Sequence, residues 1–145
     1  MLKGLDSLLT PELLMHLSAM GHGEWVAVVD ANFTADFLGK GKALVRLPGH
    51  SLERVSKAVL SVFPLAEDVA CPAAYMQVCH SPEGHQTAAQ ASVVALLSHE
   101  GLPAGRVEAV ERFAFYEKIK GASVIVQSGE ATAYGNAMFC KGVIL

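Results

Sequence analysis

Charged side chains are scarce in this chain. Asp, Glu, Lys and Arg make up 17% of its 145 residues, where an ordinary soluble domain carries about 25%. The formal net charge is −3, which excludes the basic face that nucleic-acid binding requires. Long apolar runs are absent as well. No stretch approaches the roughly 18 consecutive apolar residues that span a bilayer, so no membrane segment is expected. Cysteine is sparse, and Cys71, Cys79 and Cys140 form neither an even set nor a Cys-x-x-Cys pair. Reduced, buried thiols are therefore the default reading. Among the glycines there is no Gly-x-Gly-x-x-Gly and no P-loop, which leaves a nucleotide site unsupported.

Other reactive arrangements are missing too. Ser81 and Ser128 lack a nucleophile elbow or an evident base. Cys79, His80, Glu83 and His85 can be combined into a metal set only on paper, because an adjacent Cys-His pair is poor ligand geometry and the spacing fits no zinc pattern. No metal and no other cofactor is expected. The N-terminus carries Lys3 and Asp6 and then Thr10-Pro11-Glu12, a helix start rather than the apolar core of a signal peptide. The expected location is the cytoplasm.

The abundant class is apolar, at 52% of the residues. A chain so poor in charge has few solvated groups with which to cover itself. The inference is a second apolar face covered by another copy of the chain, hence a homo-oligomer. The alternative is a well-packed monomer, since apolar atoms form much of any protein surface.

The apolar residues fall into an alternating pattern of elements. Thr10 can cap a helix that begins at Pro11, with Leu13, Leu14, Leu17 and Met20 at helical spacing and Gly21 suited to a left-handed end. Residues 25–29 are a continuous run rich in valine, the mark of a strand buried on both faces. Residues 43–47 read as a second strand. Ser51 caps a helix with Leu52, Val55, Val59 and Val62 on one stripe, ended by Pro64. Residues 74–79 read as a strand and His80–Gly84 as a loop. Thr87 with Gln90 makes a capping box for a helix that runs to Gly101. Residues 112–120 read as a short helix, 123–127 as a strand and 137–144 as a last strand. Residues 65–71 give no clear pattern. Strands alternating with helices define an α/β fold: a single domain over residues 1–145, with a central, mostly parallel sheet flanked by helices.

Polar residues at the edges of these segments are the candidates for chemistry. His22 lies between glycines in Met20-Gly21-His22-Gly23, where backbone freedom lets a ring approach a ligand, and an imidazole exchanges protons near neutral pH. Its bland role is a helix cap. Asp30 is the first acidic residue after a buried strand, where ligands sit in open α/β sheets, and a carboxylate accepts from paired hydroxyls. Its bland role is an Asx turn. Arg112 and Tyr116 are four apart, so they share a helix face, with Phe113 and Phe115 as expected anchors. Tyr134-Gly135-Asn136 is a turn with two hydrogen-bonding side chains, in which Gly135 permits close backbone approach. His16, His50, His80, His85 and His99 read as surface or packing residues, although His50 and Trp25 could border a cleft.

These segments, in this order, resemble the L-fucose mutarotase and D-ribose pyranase family. The resemblance is carried by Leu2-Lys3, Thr10-Pro11-Glu12-Leu13-Leu14, Met20-Gly21-His22-Gly23, Asp30-Ala31-Asn32-Phe33, Arg112-Phe113-Ala114-Phe115-Tyr116-Glu117, Gly129-Glu130, Tyr134-Gly135-Asn136 and Lys141-Gly142-Val143. It covers roughly the first and last thirds, and the Arg-Phe-Ala-Phe-Tyr-Glu segment is similar to the fucose branch. Thr34 stands where proline is expected, and the His80–His85 loop differs from the fucose pattern. The resemblance implies a cofactor-independent isomerase that interconverts anomers of L-fucose or a related monosaccharide. It implies His22 as acid/base and Asp30, Arg112, Tyr134, Gly135 and Asn136 as sugar contacts, with Tyr116 as an additional one. It also implies a homo-oligomer, often a decamer, with sites near subunit boundaries. A non-catalytic sugar-binding or transport-associated protein with the same pocket is the alternative.

Overall fold

Thr10 opens the first helix as its sequence suggests. In the computed structural model, which describes residues 1–145, its hydroxyl accepts the Leu13 N–H and Pro11 is the first residue of α1, Pro11–Ala19. Strand β1, Trp25–Val29, follows, then a short helix α2, Ala35–Leu38, and strand β2, Ala43–Leu47. Helix α3, Leu52–Leu60, is capped by Ser51. After an irregular stretch come β3, Ala73–Met76, and α4, Ala88–His99, whose Thr87–Gln90 capping box is fully formed. Strand β4, Val107–Val110, then leads into α5, Arg112–Ile119. Strands β5, Ala122–Ser128, and β6, Ala137–Cys140, complete the chain.

The strands form one sheet in the order β2-β5-β1-β6-β3-β4. β1 and β2 both run parallel to β5, and β3 runs parallel to β4. β6 is antiparallel to both of its neighbours, β1 and β3. The sheet is thus mostly parallel with one reversed strand at its centre.

Both faces are covered, as the valine run of β1 requires. Val26 and Val28 point into one core with Leu13 and Leu17 of α1, Leu52, Val55 and Val59 of α3, and Val93 and Leu97 of α4. Ala27 and Val29 point into the other, with Ala35 of α2 and Phe115 and Ile119 of α5. No helix is long and apolar enough to cross a membrane.

Several local expectations need correction. Gly21 does not adopt the left-handed conformation; Gly23 does, with φ 82°. Phe113 is 67% exposed while Phe115 is fully buried. Residues two apart on a helix point to different sides, so only one can anchor it. Helix α3 stops at Leu60, ahead of Pro64, which leaves Val62 outside it. β3 ends at Met76 instead of residue 79, because the chain turns away into a loop where His80 has φ 57°. β6 ends at Cys140, since β1, its ladder partner, begins opposite at Trp25. Past it, only an isolated bridge joins Lys141 to Leu65. Cys140 is buried, but Cys71 and Cys79 are partly exposed.

Candidate functional site

The sheet has two edges of different chemistry. Five strands point their carboxyl ends one way, and the antiparallel β6 begins there. That edge gathers Asp30 after β1, Cys79 after β3, Arg112 after β4, Glu130 after β5, and Tyr134–Asn136 before β6. Reversal of strand direction at β6 interrupts the parallel array between β1 and β3. Ligands bind at the carboxyl ends of open α/β sheets, beside such a switch in connectivity.

Asp30 and Asn136 form a buried pair at this edge. Asp30 is 6% exposed and Asn136 2%. The Asp30 N–H donates to Asn136 Oδ1 (2.9 Å), and Asn136 Nδ2 donates back to Asp30 Oδ2 (3.0 Å). The other carboxylate oxygen accepts the Asn32 N–H at 3.0 Å, an Asx turn. The Asx turn expected as its bland role is therefore present. Burial pushes the Asp30 carboxyl above its ordinary range, against the hydrogen bonds from Asn32 and Asn136.

Tyr134 and Gly135 form the adjoining turn. Positive φ falls on Tyr134 (63°), not on Asn136. A non-glycine residue holds this conformation only where its surroundings fix it. Here the fully buried Gln90 does so: its Nε2 donates to the carbonyls of Tyr134 (2.9 Å) and Met76 (2.5 Å). Gly135 has no room for a side chain, since a Cβ there would lie 2.7 Å from Glu130 Cγ and 3.0 Å from the Thr132 carbonyl oxygen. The Glu130 carboxylate in turn accepts the N–H groups of Leu52 and Thr132. Burial opposes its charge, but those bonds outweigh it and hold its pKa below the ordinary value.

Arg112 and Tyr116 meet as their spacing suggests. Arg112 Nε donates to the Tyr116 hydroxyl at 3.1 Å, a bond that raises the Arg112 pKa and keeps the guanidinium charged. The Tyr116 ring packs on Phe33, 5.8 Å between centroids. The neighbouring Cys79 side chain raises the pKa of the Tyr134 phenol. Arg112, Glu111 and the 77–81 segment line a cleft of about 240 Å³. This edge therefore offers a carboxylate, an amide, a guanidinium and two phenols, suited to a small polyhydroxylated molecule.

His22 is elsewhere in the same chain. It precedes β1, whereas Asp30 follows it. The strand between them is Trp25–Val29, so at about 3.3 Å per residue the two are separated by roughly 17 Å or more. His22 does not cap α1. Its Nε2 lies 2.9 Å from Asp68 Oδ1, in a groove of about 400 Å³ shared with Leu65, Glu67 and Val143. The hydrogen bond from His22 holds the Asp68 carboxyl below its ordinary range. No group of three or more His, Cys, Asp or Glu side chains is arranged to hold a metal.

Sequence reasoning missed Gln90, Cys79 and Asp68 as parts of these sites. Gln90 was visible only as a capping residue, a role it also fills. Asp68 lies in the 65–71 stretch that has no periodicity.

An open α/β sheet with polar, hydrogen-bonding side chains gathered at its carboxyl edge defines a small-ligand-binding class. The family model described as the RbsD / FucU transport protein family matches residues 3–144, and the chain belongs to that family. It is 40% identical over 146 residues to the fucose mutarotase of Danio rerio, covering 99% of this chain and 94% of that one. The crystal structure of FucU from Bifidobacterium longum superposes with a TM-score of 0.90 at 36% identity, over 99% of this chain and all of that one. The fucose mutarotase of Streptococcus pneumoniae in complex with L-fucose superposes at 0.89 with 27% identity, over 99% and 100% of the two chains.

Proposed function

We propose that the carboxyl-edge cluster holds a pyranose sugar and that the protein interconverts its anomers, with L-fucose or a close relative as substrate. The observation that carries this reading is the buried Asp30–Asn136 pair on the same sheet edge as the Arg112–Tyr116 pair and the Tyr134 turn. The full-length likeness to proteins named fucose mutarotase supports it.

Anomer exchange needs ring opening. A base takes the proton from the anomeric hydroxyl, the bond between C1 and the ring oxygen breaks, and its electron pair stays on that oxygen, which receives a proton. The open-chain aldehyde turns about C1–C2 and recloses with the other face exposed. No net proton or electron is consumed. Asp30 and Asn136 orient neighbouring hydroxyls, while the Arg112 guanidinium stabilises oxygens that gain negative character. Tyr116 and Tyr134 are O–H groups placed to exchange protons with the sugar. His22 performs one proton transfer, a role worth about 10²–10⁴-fold.

His22 must then come from a second copy, which makes the homo-oligomer part of the mechanism. The exposed apolar side chains fit such an assembly: Phe113 lies beside Arg112, and Val143 and Leu145 beside His22. A closed ring of copies, including a decamer, satisfies this geometry because each boundary joins one edge type to the other. A cytoplasmic location belongs to the same reading and agrees with three unpaired cysteines.

The test is saturation-difference NMR of anomer exchange on L-fucose, D-ribose, D-galactose and L-rhamnose. Exchange of L-fucose by the wild type and its loss in His22→Ala are the expected results. Sugar binding without accelerated exchange selects the non-catalytic alternative.

A further inference from the structure

We infer that Arg106 is a positioning residue for His22, acting through the 67–70 segment and the carboxylate of Asp68. The inference rests on His22 being the proton-transfer group.

The contact between His22 and Asp68 joins two loops 46 residues apart in sequence. Both side chains are about half exposed, 45% and 59%. A pair this open to water adds little stability on its own. It can fix the direction of an imidazole ring only if both loops are themselves held.

Each loop is held by a partly buried cation that donates to main-chain carbonyls. On the His22 side, Lys141 Nζ donates to the carbonyls of Leu17 (2.7 Å) and Met20 (2.5 Å), at the end of α1. The Gly23 N–H donates back to the Lys141 carbonyl at 2.8 Å, and the Glu24 carboxylate accepts the Gly21 N–H. On the Asp68 side the chain has no regular structure to rely on. Arg106, in the 3-10 turn Ala104–Arg106 before β4, supplies the fixing instead. Its guanidinium donates to the carbonyls of Glu67 (3.2 Å), Val69 (2.7 Å) and Ala70 (3.2 Å). Asp68 sits inside that span.

Three carbonyls of one short segment require donors in a rigid, planar array. Guanidinium provides it; an ammonium on a flexible stem does not. The consequence reaches the reacting atom. A neutral imidazole that donates from Nε2 to Asp68 leaves the lone pair on Nδ1, because the hydrogen bond of one ring nitrogen sets the tautomer of the other. Nδ1 is thereby assigned as the proton-accepting atom, and Arg106 keeps the partner that selects it in place. The charged groups around the ring are Asp68 and Glu67 across the groove, with Glu24 and Lys141 on its own side.

The experiment compares wild type, Arg106→Ala, Arg106→Lys and Asp68→Ala as intact assemblies. Two readouts are used: L-fucose exchange kinetics, and the nitrogen-15 correlation pattern of the His22 ring. In wild type the pattern is that of an imidazole protonated at Nε2. Arg106→Ala and Asp68→Ala lose that pattern and lower kcat by about 10-fold or more, the scale on which loss of a histidine's orienting partner acts at metal sites. KM stays unchanged because the sugar contacts lie on the other edge. Added methylguanidinium restores Arg106→Ala toward wild type, and Arg106→Lys recovers little. Wild-type kcat and an unchanged ring pattern in Arg106→Ala overturn the inference, as does a fall in kcat with the ring pattern intact. If Arg106→Ala fails to assemble, Asp68→Ala, which removes no main-chain bond of the segment, decides the question by the same two readouts. Should His22→Ala itself exchange normally, the functional reading fails instead of this one.

Discussion

Asn136 grips Asp30 twice, once at the main-chain N–H and once at the carboxylate, and so ties the end of β1 to the start of β6. Both residues are buried, so neither group has water as a substitute partner. Asn136→Ala removes both bonds and leaves an N–H and one carboxylate oxygen short of partners. The expected loss of stability is about 1–3 kcal/mol, read from urea denaturation midpoints, with anomer exchange reduced even in the folded fraction. Exchange at the wild-type rate would show that the amide contributes nothing at the sugar.

The same burial gives Asp30 a pH signature. Its folded pKa is raised above the ordinary 3.8, with desolvation as the main cause. A raised folded pKa means that the folded state holds its proton longer than the unfolded chain. The resulting stabilisation is complete below the unfolded pKa and is lost as pH rises through the folded one. Asp30→Asn has no such titration. Its stability relative to wild type is therefore expected to improve between about pH 3.5 and about pH 7, whatever fixed cost the amide brings to the Asn136 contact. Denaturation of both proteins at the two pH values checks the sign.

Gln90 is the clearest positioning residue on the carboxyl edge of the sheet. It holds the carbonyl of a left-handed Tyr134 and that of Met76, the last residue of β3, at once. Gln90→Met keeps the volume but leaves both carbonyls, and the Thr87 N–H, without this partner. A loss of about 1–3 kcal/mol is expected. Exchange should fall as the Tyr134 turn relaxes. A melting curve and an exchange rate that both match wild type would contradict this.

Much of this architecture is legible in the chain, and the illegible parts have physical causes. The caps at Thr10, Ser51 and Thr87 are visible because the capping chemistry is local, and β1 is visible because five apolar residues in a row fit a strand buried on both faces. β4 is not, because Val-Glu-Ala-Val at the sheet edge exposes Glu108 and Ala109 together and shows neither alternation nor a continuous run. α2 has four residues, too few for a helical period to register. The insertion of β6 between β1 and β3 depends on long-range pairing that no local pattern encodes. The separation of His22 from Asp30 was already in the sequence: a strand lies between them, so their side chains belong to opposite edges. The Asp68 contact was not, because it joins two loops without periodicity.

Gly135 tests how closely the 134–136 turn is packed. A Cβ would meet Glu130 Cγ at 2.7 Å, the Thr132 carbonyl at 3.0 Å and Asp30 Cβ at 3.5 Å. Glu130 cannot simply swing away, since its carboxylate holds the N–H groups of Leu52 and Thr132. Gly135→Ala is therefore expected to cost about 1–3 kcal/mol as an overpacked site. It should also weaken sugar binding, because the displaced turn carries Tyr134 and Asn136. Titration of L-fucose against the folded variant reads the second effect separately from the first.

The proposal that two copies build each site makes a prediction that no single substitution can make. His22 and Arg112 lie on opposite edges of one chain, and both are exposed. His22→Ala alone and Arg112→Ala alone should each be nearly inactive in anomer exchange. When the two variants are unfolded, mixed in equal amounts and refolded together, a boundary is complete wherever an Arg112→Ala copy supplies His22 to a His22→Ala copy that supplies Arg112. Random mixing makes roughly a quarter of the boundaries complete in a symmetric assembly. Exchange should therefore rise to about that fraction of wild type, while the same two variants refolded separately and then combined stay inactive until their subunits exchange. Recovery is impossible if each chain builds its own site, because every chain in the mixture lacks one of the two groups. Persistent inactivity in mixed oligomers, verified by mass, would place the proton-transfer group somewhere other than His22 of a neighbouring copy.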